Sequence, residues 1–368
     1  MRITFVLPLL GHPRIQKRIR ALRSAGATVS VLSFEREVPF KVGDLPAYES
    51  LGPLQDGKYL ARVGRYAGAL PVVRAAAAES DILYCFSADL LSLGVVAVAG
   101  LKRRPKLVVE VADIRGVLVG DGVPARAARA LEAQVIQKAD LVVVTSKAYL
   151  DGYYTGVQGL PGLPGFVLEN KVDASLLSAA PPAGEEWDGV LRIVYSGLMC
   201  CTRSWTVLDR LAAEGGDRVH IRLHGILQAG LERLEQEVLD RPNVEYLGPF
   251  EAPRELPAVF GPADLVWIAH AYGAANQAWS RANRFYQAGY FRKPMVAQVG
   301  TEDARVVESE GLGPVVDLHD PGAAVARLLS VGRDELLTWR RAVAAAPESL
   351  FALTDDHDRL LRRLGPEG

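Results

Sequence analysis

The feature that most constrains this chain is an alternation. Short runs rich in β-branched residues take turns with segments of helical periodicity, and the pattern stops, then starts again. Residues 2–8 (RITFVLP) read as a strand. Residues 13–25 read as a helix, with Pro13 in its first turn, Ile15, Ile19 and Leu22 on one face, and Gly26 as its C-terminal cap. TVSVLSF, DILYCF (81–86), KLVVEVA (106–112) and DLVVVTS (140–146) continue as strands, with helical segments at 88–103 and 124–139. Strands that alternate with helices predict a parallel sheet covered on both faces, which binds ligands beyond the carboxyl ends of its strands.

Gly and Pro break the pattern at 156–165 (GVQGLPGLPG), and FVLEN follows as a strand-like piece. The polar, Pro-rich stretch at 178–189 reads as an interdomain linker. The second run has strands at 191–197 (LRIVYSG), 219–225 (VHIRLHG), NVEYLG, 264–269 (DLVWIA), PMVAQV and 315–318 (VVDL). Helices are expected after Ser204, taken as an N-cap, at about 230–240, 253–260 and 280–291, and from about 333 onward. The fold class is therefore α/β, with two Rossmann-like domains facing each other across a cleft.

A chain of 368 residues is long enough for two such cores, and 49% apolar with 23% charged residues is ordinary for globular protein. A net charge of -1 gives no reason to expect nucleic acid as a partner. Cys85, Cys200 and Cys201 form no C-x-x-C pair, so neither a disulfide framework nor a zinc knuckle is expected. The run at 2–8 is too short for a signal peptide, and residues 90–100 read as a buried helix rather than a membrane span. A cytoplasmic location is expected, with no metal and no resident cofactor. Gly11 lies outside any G-x-G-x-x-G, which argues against a nicotinamide.

The site residues come from strand ends. IVYSG leads through LMCCTR into a helix, and backbone N–H groups at such a turn bind phosphate, with Gly197 and Arg203 at its mouth. A guanidinium meets two phosphate oxygens at once. In the first half, Gly11 and His12 follow the first strand, while Asp113 and Arg115 follow KLVVEVA. His12 reads as a hydrogen-bond partner of an acceptor hydroxyl or as a cap of the helix at Pro13. Asp113 reads as a substrate contact or a cap, and Glu110 as a structural ion-pair member.

Residues 263–297 then resemble the donor-binding stretch of the retaining family-four glycosyltransferases of the GT-B fold, written P-N-K-x-(Y/F)-E-Y-x-A-x-G-(K/R)-P-V. The matching run is Ala282, Asn283, Arg284, Phe285, Tyr286 and Gln287, followed by Arg292, Lys293 and Pro294. HPRIQKRIRALRSAGATVSVL is similar to the family's first strand–helix–strand, and ENKVD (169–173) to the N-G-V-D that closes its first lobe. The resemblance implies an acceptor-binding domain over residues 1–175 and a nucleotide-sugar domain over 190–345. It also implies a helix at about 346–368 that packs back on the first domain.

The resemblance further implies transfer of a sugar from a nucleotide-diphosphate donor to an acceptor hydroxyl with retention. Arg203, His12 and Asp113 would be catalytic, and Gly197, Arg203, Asn276, Asn283, Arg284 and Gln287 would bind donor. Gly11, His12 and Arg115 would bind acceptor. Two family glutamates eight positions apart fall on Trp279 and Gln287 here. Gln287 can still hold a ribose, whereas Trp279 cannot replace a carboxylate and Asn276 would take over the sugar hydroxyls. Arg281 or Arg284 would supply the second positive charge beside Arg203.

The acceptor expected is a sugar, a metabolite or a lipid-linked molecule. Residues 58–74, with Lys58, Arg62, Arg65 and Arg74, read as a solvated helix, the other reading being a membrane-docking segment. His220 and His224 share a strand face without metal-site spacing, and Asp355, Asp356 and Asp358 read as a solvated helix face. Two other classes stay open on the sequence. One is a nucleotide-sugar 2-epimerase of the same fold. The other is a non-catalytic protein or a coupling enzyme with an unusual donor, suggested by the missing glutamates.

Overall fold

A computed structural model describes residues 1–36, 46–54, 59–177, 186–228, 232–271 and 276–365. Lys58 and most of the expected linker, residues 178–185, lie outside the described residues. The chain divides into two compact units: Met1–Glu169 with Thr354–Gly368, and Asn170–Leu353.

In the first unit the order is β1 (Arg2–Leu7), α1 (Pro13–Ser24), β2 (Thr28–Glu35), β3 (Glu49–Pro53), α2 (Tyr59–Glu79), β4 (Ile82–Phe86), α3 (Ala88–Val98), β5 (Lys106–Val111), α4 (Val123–Ile136), β6 (Leu141–Val144) and β7 (Gly165–Val167). These strands form one parallel sheet ordered β3-β2-β1-β4-β5-β6-β7. Every residue of β4 and β6 is buried, which is why ILYCF and LVVV read as unbroken apolar runs. β3 and a stretch of π-helix at Tyr149–Val157 carried no clear signal in the sequence.

The second unit runs β8 (Leu191–Met199), α5 (Thr202–Gly215), β9 (Val219–Leu227), α6 (Glu232–Leu239), β10 (Val244–Gly248), α7 (Leu256–Phe260), β11 (Leu265–Trp267), α8 (Asn283–Tyr290), β12 (Met295–Gln298), α9 (Glu302–Ser309), β13 (Val315–Val316), α10 (Pro321–Leu329) and α11 (Arg333–Ala345). Its parallel sheet is ordered β10-β9-β8-β11-β12-β13. β8, the first strand, therefore has β9 on one side and β11 on the other, and β1 stands likewise between β2 and β4. In each sheet the strand order reverses there, and a crevice opens at the carboxyl ends.

The last helix, α12 (Asp356–Leu364), belongs to the first unit. Leu360 and Leu364 enter that unit's core, and Lys106 Nζ donates to the carbonyls of Leu364 (3.2 Å) and Gly365 (2.8 Å). The return begins at Thr354 rather than near residue 346, because the intervening residues pack on the second unit. Val172 N donates to Phe351 O (2.9 Å), Leu353 N donates to Val172 O (2.8 Å), and the Phe351 ring lies 5.6 Å from that of Phe285. Asp356, expected on a solvated face, is buried and accepts from Thr354 N (3.1 Å).

Gly289 shows what the small residue of the Q-A-G-Y segment does. A Cβ there would overlap the buried Phe351 ring. Gly289→Ala is expected to lower stability by ~1–3 kcal/mol, the usual cost of overpacking a core, read as a drop in the urea midpoint with the m-value unchanged.

Candidate functional site

In the second unit, β8 runs on to Met199, two residues beyond the expected end, and Gly197 pairs with Gly225 of β9. Gly197 takes φ +91° and Gly225 φ +142°, and a Cβ on Gly225 would overlap the Gly197 carbonyl. Two glycines side by side thus let the two backbones converge at the mouth of the crevice. The turn that follows is only Cys200-Cys201, and α5 starts at Thr202.

The N-cap of α5 is Cys201 rather than Ser204. The Cys201 thiol accepts from Ser204 N (3.4 Å) and from Ala271 N (3.4 Å). Ser204 is buried, donates to Ala269 O (3.1 Å) and accepts from Trp267 Nε1 (3.0 Å). These bonds pin residues 269–271, just past β11, onto the first turn of α5. Arg203 sits on that turn, exposed, and among the described residues it has no hydrogen bond or ion pair. An uncommitted guanidinium beside free helix N-terminal N–H groups is suited to a phosphate.

α8 carries the remaining donor-side residues at different depths. Asn283 and Gln287, four apart, are outside the core, and Asn283 Oδ1 accepts from Asn170 Nδ2 (2.5 Å). Arg284 turns inward and is 7% exposed. It donates through Nη1 to Ser196 O (2.6 Å) and through Nη2 to His270 Nε2, and its Cζ lies 4.7 Å over the Tyr195 ring. Burial first, then the Arg284 charge, lowers the His270 pKa to about 3. Arg281, just before α8, bonds Glu302 (3.0 Å). The expected second charge is therefore tied up at Arg281 and largely buried at Arg284. Asn276 accepts through its carbonyl from Trp279 N (3.2 Å) and Ser280 N (2.9 Å), which fixes a turn there, while residues 272–275 lie outside the described residues.

In the first unit, His12 is the N-cap of α1: Nδ1 accepts from Arg14 N (3.3 Å). Burial, then the Arg14 charge, lowers its pKa to about 4 against the opposing pull of Glu110. Gly11 beside it is buried. Glu110 accepts from Tyr84 Oη (2.8 Å) and pairs with Arg14 (3.3 Å) and Arg18 (3.4 Å), so it is a structural ion-pair centre. Asp113 is exposed, makes no side-chain hydrogen bond among the described residues and caps no helix. Its pKa is nevertheless raised by partial desolvation, against Arg115 and Arg14. Arg115 bonds Asp89 (2.9 Å), which also receives Tyr66 Oη (3.1 Å) and Arg62 (3.2 Å).

Arg74 donates to the Ala97 and Ala99 carbonyls at the end of α3, so this member of the basic segment serves as a helix C-terminal anchor. The His224 ring packs on Phe250, and no group of His, Cys, Asp or Glu among the described residues is arranged to hold a metal. No helix of the described residues is long and apolar enough to cross a membrane.

One further residue that the sequence did not mark stands out. Asp303, on α9, is buried and accepts from Ala282 N (3.0 Å), the N-cap of α8, while Glu302 N donates to Ala278 O (3.2 Å). The first turn of α9 thus holds the segment leading into α8. Burial raises the Asp303 pKa from 3.8 to about 7, overcoming the bond to Ala282 and the charges of Arg281 and Arg284. A carboxyl whose pKa is raised on folding stabilises the fold when protonated, so its contribution is lost as pH rises from about 4 to about 7. Asp303→Asn is expected to flatten that loss. It should gain a few kcal/mol on wild type between pH 5 and pH 8, since a tenfold change in proton affinity is worth ~1.4 kcal/mol, as read from urea midpoints at those two pH values.

Comparison with known proteins bears on the class of enzyme. Residues 11–161 match the model of the glycosyl transferase 4-like domain. The succinoglycan biosynthesis protein ExoL of Rhizobium meliloti (strain 1021) is 26% identical over 350 residues, which cover 90% of this chain and 84% of that one. Among solved structures, Anabaena HepE, in complex with UDP and glucose, superposes with a TM-score of 0.74 at 17% identity over 99% of both chains. The sucrose-phosphate synthase of Thermosynechococcus elongatus gives 0.71 at 16% identity, again over 99% of both. With two parallel-sheet Rossmann-like units, a family-four-like domain over the first and relatives of this kind along its length, the chain is a glycosyltransferase of the GT-B fold.

Proposed function

We propose that the enzyme moves a sugar from a nucleotide-diphosphate sugar to an acceptor hydroxyl with retention of configuration. The observation that carries this reading is the carboxyl end of β8. There an exposed, uncommitted Arg203 stands on the first turn of α5, beside the crevice that β8 forms with β11. HepE, whose fold matches over the full chain, holds UDP and glucose. Arg203 and the N–H groups of the turn after Gly197 would take the diphosphate. Asn283 and Gln287 would hold the ribose, and Asn276 the donor sugar.

On the acceptor side, Gly11, His12, Asp113 and Arg115 would meet the substrate. His12 has a defined chemistry for this. Its Nδ1 accepts from Arg14 N, and a neutral imidazole that accepts at Nδ1 carries its proton on Nε2. It can therefore give a hydrogen bond to an acceptor oxygen, but it has no lone pair at Nε2 to take a proton. That fits retention. The bond from the anomeric carbon to the β-phosphate oxygen breaks, the bond to the acceptor oxygen forms on the same face, and the acceptor proton passes to the departing diphosphate. The protein supplies position and charge stabilisation. We assign the charge to Arg203 and backbone groups rather than to a resident metal, so EDTA should leave turnover unchanged.

The first test is a thermal-shift series with UDP, GDP, ADP, TDP and their sugars. A rise with one nucleotide names the base, ~3 kcal/mol of stabilisation being expected at a hundred-fold excess over Kd. No rise with any of them counts against the donor assignment. Arg203→Ala is expected to lower kcat ten-fold or more, about 1.4 kcal/mol, with the melting temperature unchanged; an unimpaired variant overturns the phosphate role. NMR of the product's anomeric centre decides retention, and an inverted product would make Asp113 the base. Nucleoside diphosphate released only when an acceptor is present separates transfer from epimerisation.

A further inference from the structure

His270 is placed by its neighbours. Ser204 holds Ala269 O, Cys201 holds Ala271 N, and between them the imidazole reaches Arg284. A guanidinium is always charged and has only donors, so Nη2–H donates and Nε2 of His270 accepts. The imidazole is neutral, kept so by burial and by the adjacent cation. Its proton therefore sits on Nδ1. That Nδ1 atom is buried and has no hydrogen-bond partner among the described residues. The Tyr195 hydroxyl is likewise buried without a hydrogen bond, and its ring centre lies 6.3 Å from that of His270. Arg284 bonds a carbonyl and an imidazole, and the carboxyl its charge acts on, Asp303, is not within ion-pair distance of it.

The balance of this cluster is one-sided. An imidazole N–H, a phenol O–H and a guanidinium come together at the carboxyl end of β8 and β11, where the strand order reverses. Buried donors cost stability unless an acceptor meets them, and a buried cation favours an anion. The adjoining wall is the first turn of α5, which carries Arg203.

We propose that His270, through its Nδ1–H, forms with Arg284 and Tyr195 a seat for an oxygen anion, and that this seat takes the diphosphate of the donor. The inference rests on the nucleotide-sugar reading above and adds His270 and Tyr195 to the donor site. His270 is a binding residue, and it fixes the orientation of Arg284 at the same time.

The test separates the phosphate from the nucleoside. Binding of UDP, inorganic pyrophosphate and uridine is measured by calorimetry at pH 7.5 for wild type, His270→Gln and His270→Asn; if another base proves preferred, its diphosphate and nucleoside are used. Gln keeps an acceptor towards Arg284 and removes the Nδ1–H, while Asn places an amide N–H near the Nδ1 position. In His270→Gln, UDP and pyrophosphate are expected to weaken about ten-fold or more, a loss suited to a hydrogen bond to a charged group, with uridine unchanged. His270→Asn, which keeps an N–H near Nδ1 but loses the acceptor for Arg284, is expected to weaken UDP less than His270→Gln does. Equal UDP binding in wild type and His270→Gln overturns the seat and leaves the donor reading standing. Failure of wild type to bind UDP or pyrophosphate overturns both. Should both variants fail to fold, nitrogen-15 spectra of the wild-type histidines decide. A Nδ1–H signal for His270 that moves with pyrophosphate and not with uridine supports the seat, and an Nε2–H tautomer, or no movement, overturns it.

Discussion

The second unit is organised around a buried cation that has to be satisfied. Arg284 spends one arm on the Ser196 carbonyl of β8 and another on His270 beyond β11, and stacks on Tyr195. One side chain thereby ties α8 to the ends of two adjacent strands. The consequence reaches outward along the helix. With residue 284 turned in, Asn283 and Gln287 fall on the flanks of the helix beside it, outside the core. It reaches across the crevice too, because the segment holding His270 is fastened to α5 by Ser204 and Cys201. Strand ends, loop and two helices are set by a few polar contacts.

The fold was legible because its strands are buried on both faces. Runs such as ILYCF and LVVV have no polar alternation to confuse the reading, and α1 carries a clean apolar stripe of Ile15, Ile19 and Leu22. What escaped lacked such contrast. Among the described residues β3 pairs along one edge, and it contains Gly and Pro, while Tyr149–Val157 is wound as a π-helix, whose period the sequence reading does not look for. α9 and α10 follow the short strands β12 and β13 and are not marked as helices in the sequence reading.

Site residues divide along a physical line. Those marked by position on a strand end, such as Arg203, Asp113 and His12, could be named from the sequence as candidates. Those whose importance comes from a partner far away in the chain could not. Nothing near residue 303 signals that its carboxyl will meet the N–H of Ala282, and nothing near 270 signals Arg284. Ser204 looked like a cap because hydroxyls usually are; the thiol of Cys201 took that place because β8 extends two residues further than its apolar run implied. His270 did carry one faint mark, a polar aromatic residue just after DLVWIA.

The division of the chain has a bearing on its synthesis. The second unit, Asn170–Leu353, is inserted between the two pieces of the first, so the ribosome delivers it complete before α12 exists. Until then the first sheet lacks Leu360 and Leu364 from its core, and Lys106 lacks the carbonyls it will hold. The order of emergence is thus opposite to the usual N-terminal-first closure of domains. A nascent first unit must wait, with an apolar surface uncovered, for a helix encoded almost two hundred residues downstream of β7. Its exposure to chaperones is set by the length of the insertion rather than by its own folding rate.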